Sequence, residues 1–388
     1  MHFTIKPVSY VCNLKCDYCF YLPKGENLLH KGLMTDEVLE ALIVKYIKAC
    51  AGNRVYFTWQ GGEPLLAGKK FYEKAFALQQ KHAQGKIIEN AIQTNATLLD
   101  DEFCELFKQH NCLMGVSIDG PQELHDALRK DKRGHGTYQQ VIAGIELLKK
   151  HDIPFNTLTC INAANYQQPL AVYNALKELG STFMQFSEVV ETTPENSDFS
   201  HVPSTYTAKP FSLSKSAYGT FMSEIFRYWV AHDIGTIHVR QFETFISRVL
   251  GGGHLSCVFE DKCPDNFVLE ANGDIYECDQ AVYPTYKIGN ILTSDLTKLH
   301  SERINAVKHN LSNQCRECPY LALCSGGCPK HRLDLQQGTP ITYFCEGYKI
   351  LFKTMVPYLN AMGALEENKI PYLAIKDIAP RIAAMAKE

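Results

Sequence analysis

No apolar run in this sequence approaches the roughly 18 residues needed to span a bilayer, so no membrane partner is expected. A basic excess is missing too: 39 Lys+Arg stand against 42 Asp+Glu, a formal net charge of −3. A duplex-binding surface needs a marked basic excess, so nucleic acid is excluded as a partner. The stretch Met1 to Pro7 lacks the apolar core of an export signal, and a cytoplasmic location is the expectation. With 45% hydrophobic and 21% charged residues, the 388-residue chain is neither disordered nor fibrous. Its length suits one large α/β domain with an appendage, or two ordinary domains.

Cysteine is what the sequence has in plenty, with 15 residues. An odd count in a large chain without an export signal argues against a disulfide framework and for thiolate metal ligands. Three lie at 12, 16 and 19, and eight fall between 257 and 345. Cys50, Cys104, Cys112 and Cys160 are scattered through apolar segments, where cysteine serves as a small hydrophobe.

The first half alternates β-type runs with helical patterns. Strands are expected over 3–8, 54–59, 87–93, 113–118, 155–161 and 183–187, and Trp59, Phe57 and Tyr56 are read as strand packing. Leu39, Leu42, Ile43, Tyr46 and Ile47 recur at helical spacing after a Thr35 cap. Six βα units with right-handed crossovers favour a parallel sheet curled into a full or partial barrel. A polar stretch over 191–216 reads as a long surface connection, and helices are expected over 217–232 and 241–250. Beyond Gly251-Gly252-Gly253 the cysteine-rich region shows little periodicity, as when metal replaces an apolar core, and the last forty residues read as helical.

Cys12-Asn13-Leu14-Lys15-Cys16-Asp17-Tyr18-Cys19 is a C-x3-C-x2-C run just after the first strand. The carboxyl end of a parallel strand is where barrel enzymes place their chemistry. Three thiolates hold three corners of a 4Fe–4S cube and leave one iron open to an amine and carboxylate. A zinc knuckle is the alternative, although zinc normally takes four protein ligands.

With Tyr18 in its aromatic position, the run resembles that of radical S-adenosylmethionine (SAM) enzymes. The resemblance implies a partial (β/α)6 TIM-like barrel in which a reduced cluster cleaves SAM to a 5′-deoxyadenosyl radical. Gln60-Gly61-Gly62-Glu63-Pro64 resembles the family's GGEP, which holds the SAM amino group. Ser117 matches the serine near the ribose and Arg129 the arginine on the SAM carboxylate; the other reading of Arg129 is a solvated basic loop, 129–133. Tyr21 and Val190 align with further SAM contacts. Gln93-Thr94-Asn95-Ala96 departs from the family's T-N-G and receives no role.

In the second half, Cys263-x9-Gly273-x4-Cys278, Cys315-x2-Cys318-x5-Cys324-x3-Cys328 and Cys345 match the seven-cysteine SPASM pattern, with Cys257 as an eighth thiolate. Spacing alone leaves two zinc sites open. The resemblance implies two auxiliary 4Fe–4S clusters, one on Cys257, Cys263, Cys278 and Cys328 and the other on Cys315, Cys318, Cys324 and Cys345. Residues 1–235 are then the partial barrel, 236–256 a helical linker, 257–346 the SPASM domain and 347–388 a helical segment.

Within that group the chain resembles anaerobic sulfatase-maturating enzymes over nearly its whole length, as in Asn272-Gly273-Asp274-Ile275-Tyr276-Glu277-Cys278-Asp279 and Cys324-Ser325-Gly326-Gly327-Cys328-Pro329-Lys330. The likeness implies oxidation of a cysteine or serine of an unfolded or nascent sulfatase to Cα-formylglycine. Asp279 would be the general base, the auxiliary clusters electron acceptors and Gln60 a substrate contact. A flavodoxin- or ferredoxin-like protein would supply electrons. The competing functions are a crosslinking enzyme for ribosomal peptides and a zinc scaffold without catalysis.

Overall fold

The computed structural model describes residues 1–29, 32–253 and 255–385. Among them no helix is long and apolar enough to cross a membrane. Two compact units emerge. The first comprises Met1–Ile118, His125–Asn156 and Pro264–Ala306; the second comprises Asp119–Leu124, Thr157–Cys263 and Val307–Glu388.

The strands are β1 (His2–Ile5), β2 (Arg54–Trp59), β3 (Ile87–Thr94), β4 (Leu113–Ser117), β5 (Phe155–Ile161), β6 (Phe183–Glu188), β7 (His238–Val239), β8 (Asn266–Leu269), β9 (Asp274–Tyr276) and β10 (Lys287–Asn290). The helices used below are α1 (Asp36–Ala49), α2 (Lys69–His82), α3 (Asp101–Gln109), α4 (Tyr138–Lys150), α5 (Pro169–Glu178), α6 (Ala217–His232), α7 (Arg240–Val249), α8 (Cys345–Glu367) and α9 (Ile375–Met385).

In the first unit β1, β2, β3 and β4 lie side by side and parallel. Strand β8 pairs with the free side of β1 in parallel, and β9 and β10 extend that edge antiparallel. The cysteine-rich half therefore contributes strands to this sheet, which its weak periodicity conceals. Phe267, Val268, Leu269 and Ile275 are fully buried there.

β1 stops at Ile5 rather than reaching Val8, because Pro7 cannot donate to a ladder and Ser9 turns the chain at φ +53°. Helix α1 starts where expected: the Thr35 hydroxyl accepts from the Val38 amide at 3.3 Å, and Leu39, Leu42, Ile43, Tyr46 and Ile47 form its buried face. Its Tyr46 packs edge-on between Phe3 and Phe57, with centroids 5.0 and 5.1 Å away. Trp59 is fully buried, and its indole donates to Asn90 at 2.8 Å. Tyr56 points to the opposite face and is half exposed, as alternation along a strand requires.

In the second unit β5, β6 and β7 run parallel. Helix α6 packs on α8 and α9. Two glycines allow the first crossing: a Cβ on Gly219 would lie 1.7 Å from the Gly347 carbonyl oxygen. The 191–216 stretch is more ordered than a surface connection, with Thr192–Thr193 paired to Thr207–Ala208 and Phe199, Val202 and Leu213 buried. Cys104 and Cys112 are buried as expected, whereas Cys50 and Cys160 are half-buried.

Candidate active site and cluster ligands

The loop leaving β1 carries Cys12, Cys16 and Cys19, and its backbone is fixed on two sides. The Gly62 amide donates to the Ser9 carbonyl at 2.8 Å and the Glu63 amide to the Val11 carbonyl at 2.9 Å. On the other flank Lys15 donates to the Lys130 carbonyl at 2.8 Å and Asp17 to the Leu128 carbonyl at 2.9 Å. The glycines make the first clamp possible. A Cβ on Gly62 would sit 2.1 Å from the Val11 oxygen, and Gly61 adopts φ +143° with the Ser9 oxygen 2.7 Å from where its Cβ would be.

Glu63 is fully buried. One carboxylate oxygen accepts from the Thr94 hydroxyl at 2.7 Å and the Leu65 amide at 3.0 Å; the other accepts from the Asn95 amide at 2.8 Å. Burial outweighs these donors and raises its carboxyl to about 7. Thr94 and Asn95 are thus site residues that sequence reasoning passed over. Ala96 takes the glycine-like φ of +61° in spite of its side chain, and polar residues at the end of a barrel strand were the available signal. The Asn95 side-chain Nδ2 donates to the Asn13 Oδ1 at 2.9 Å and lies 3.8 Å from the Cys12 sulfur.

Arg129 is 6% exposed, so it does not belong to the solvated run that follows it. Its guanidinium lies 5.4 Å from the centre of the Tyr18 ring. Ser117, at the end of β4, accepts from the Gln93 amide at 3.0 Å. Gln60 is half-buried, its backbone amide on the Ile5 carbonyl at 2.8 Å. Tyr21 is buried and donates to Glu270, whose other oxygen accepts from Ser9 at 2.6 Å. The buried Lys6 ammonium lies 4.7 Å from the Tyr21 ring centre. Its charge is compensated by Asp279 and Glu270, although burial still lowers its pKa. Lys6, Ser9 and Glu270 carried no sequence signal. Asp279 is half-buried, 3.7 Å from the Cys278 sulfur.

Val190 is in the second unit, buried just past β6. Of the carboxyl-terminal cysteines, Cys278 lies in the first unit and the rest in the second. Cys315, Cys318, Cys324 and Cys345 line one pocket, walled by Tyr348 and Phe352. Among the described residues no three His, Cys, Asp or Glu side chains converge as a single bound ion requires. Four thiols lining one pocket, rather than converging on a point, are the donor set that a cube of iron and sulfide takes. Burial pushes the Cys263 and Cys324 thiols up to about 12, so near neutrality they lose their protons, to solvent, only where a metal takes the sulfur. The Cys324–Cys328 loop turns through Gly326 and Gly327 at φ +74° and +68°.

The radical SAM superfamily matches residues 7–176, and an iron–sulfur cluster-binding (SPASM) domain matches 262–319. A serine-type anaerobic sulfatase-maturating enzyme of Bacteroides thetaiotaomicron is 41% identical over 378 residues, covering 93% of this chain and 91% of that protein. This chain belongs to the anaerobic sulfatase-maturating enzymes. The cysteine-type enzyme of Clostridium perfringens is 32% identical, with 92% of this chain and 96% of that protein covered. The solved structure of native anSMEcpe with bound AdoMet superposes with a TM-score of 0.84 at 31% identity, over 94% of this chain and 99% of that one. Streptococcus suis SuiB, at 14% identity and a TM-score of 0.60, shares the fold alone. The fold is thus the radical SAM α/β architecture with a SPASM domain, and the chain is an enzyme rather than a scaffold. Its cofactors are SAM and 4Fe–4S clusters, auxiliary ones included.

Proposed function

We infer that this enzyme oxidises a cysteine or serine of an unfolded or nascent sulfatase polypeptide to Cα-formylglycine, drawing electrons from a flavodoxin- or ferredoxin-like protein. The observation that carries this reading is near full-length similarity to sulfatase-maturating enzymes of both types. When bound, the iron–sulfur and sulfonium groups would supply one-electron transfer and hydrogen-atom abstraction.

Cys12, Cys16 and Cys19 would hold the first cluster. Glu63 offers a buried anion to the SAM ammonium, Arg129 a cation to its carboxylate, and Ser117 a hydroxyl to the ribose. Tyr21, Gly61, Gly62 and Val190 complete the SAM contacts, and Gln60 meets the substrate chain. Asp279 takes the proton of the target thiol or hydroxyl as the adjacent carbon is oxidised, with Lys6 as its buried counter-charge. Loss of one hydrogen atom, one proton and one electron leaves a thioaldehyde or aldehyde, and water converts the former to the latter with release of sulfide. Cys257, Cys263, Cys278 and Cys328 ligate one auxiliary cluster, and Cys315, Cys318, Cys324 and Cys345 the other.

The test is anoxic incubation of reduced, cluster-replete enzyme and SAM with cysteine and serine versions of a sulfatase-motif peptide. Mass spectrometry is expected to find the aldehyde together with 5′-deoxyadenosine. Absence of both defeats the proposal.

A further inference from the structure

The fold attaches the basic run after Arg129 to the first cysteine loop. Lys15 lies between two thiols of that loop, and its amide bonds the Lys130 carbonyl at 2.8 Å; Leu14 and Asp131 form an antiparallel bridge beside it. The next residues turn tightly around Asp131, whose Oδ1 accepts from the Arg133 amide at 2.8 Å and the His135 amide at 2.9 Å. The Asp131 amide returns to the His135 carbonyl at 2.9 Å. Such an Asx-type turn fixes the tip without help from packing. Lys15, Lys132, Arg133 and His135 are exposed around it.

Charge at the tip is unbalanced. Against Lys15, Lys130, Lys132 and Arg133 stand Asp17, paired with Lys130 at 3.0 Å, Asp131, engaged in the turn and 3.4 Å from His135, and Asp126, which lies beside Gly136 and accepts from the Tyr138 amide. The chain as a whole carries −3. A rigid cationic patch on a mildly anionic protein steers an anionic partner to one place. That place adjoins the backbone that holds the first cluster, where the electron has to enter.

We propose that Lys15, Lys130, Lys132 and Arg133 form the docking surface for a small acidic single-electron carrier protein. This rests on the function proposed above and adds the route by which the enzyme is reduced. In the encounter one electron leaves the carrier, which is oxidised by one, and enters the cluster on Cys12, Cys16 and Cys19, which is reduced by one; no bond forms or breaks. Encounters of this kind use small, salt-sensitive interfaces, which suits a patch of four side chains.

The experiment compares wild-type holoenzyme with the K132E/R133E variant, following 5′-deoxyadenosine formation driven either by reduced flavodoxin or by dithionite. The flavodoxin concentration giving half-maximal rate is expected to rise at least about tenfold in the variant, while the dithionite-driven rate stays within twofold. Added salt is expected to weaken flavodoxin-driven turnover of the wild type and to leave the variant nearly unchanged. Equal flavodoxin dependence in the two proteins overturns the proposal, as does an equal loss with dithionite. A shift confined to the KM for the sulfatase peptide under dithionite assigns the patch to the polypeptide substrate and overturns it as well. A wild-type enzyme inert even to dithionite defeats the underlying functional reading, and this one with it.

Discussion

The Lys308 ammonium donates to the Gly327 carbonyl at 2.7 Å, inside the loop that carries Cys324 and Cys328. It also donates to the Val258 carbonyl at 2.9 Å, next to Cys257. Arg332 binds the same region from its other side, reaching the carbonyls of Lys308 at 2.8 Å and Asn310 at 2.9 Å. Both cations are 1% exposed; burial lowers the pKa of each, and the sulfurs of Cys263, Cys324 and Cys328 partly offset it.

Lys308→Met would strip two carbonyls of their donor, at about 1–3 kcal/mol for each one left buried and unpaired. The expected result is an enzyme that folds but binds less iron in its carboxyl-terminal half and yields it faster to a chelator. Iron and sulfide analysis before and after chelator treatment measures this. Wild-type retention would show that Lys308 only packs.

SAM affinity should depend on pH through Glu63. Below about 7 its carboxyl is neutral and offers the ammonium no charge; above that value it is ionised. Affinity therefore rises with pH through neutrality and levels off on the alkaline side. Glu63→Gln removes the dependence and lowers affinity by roughly 10- to 100-fold, the loss of one charge-assisted hydrogen bond. Anoxic equilibrium binding across pH 6 to 8.5 decides the matter.

Replacing Asp279 by Asn should separate the two halves of the reaction. Formation of 5′-deoxyadenosine continues, whereas formylglycine falls by roughly 10²- to 10⁴-fold, the usual contribution of a general base. Parallel quantification of the two products is the measurement, and proportional loss of both would remove Asp279 from the proton transfer.

Gly219→Ala forces a methyl group onto the Gly347 carbonyl. Helix α8, which begins with Cys345, has to move. A cost of about 1–3 kcal/mol is expected, visible as a lower Tm of the holoenzyme and as iron lost together with it.

Much of this was legible beforehand. The strands over 54–59 and 155–161 and helix 217–232 fall where period and propensity place them, because each buries one regular face. The cysteine spacings marked the iron–sulfur class that the family matches bear out, since a cluster demands its donors irrespective of packing. The Lys6–Tyr21–Glu270–Ser9 network was invisible, for its members are 249 and 261 positions apart across the Glu270 bonds. Thr94 and Asn95 were obscured by Ala96, which breaks the T-N-G pattern yet adopts a positive φ of +61°.

The register of His2 with Asn266 has a consequence for biosynthesis. One side of β1 exposes its peptide groups until a segment more than 260 positions later leaves the ribosome. At typical synthesis rates of roughly 5–20 residues per second, the nascent chain presents an open edge for about 13–50 seconds. An unpaired edge is a template for aggregation, so yield in a heterologous host should be governed by what shelters this strand during translation as much as by the supply of iron.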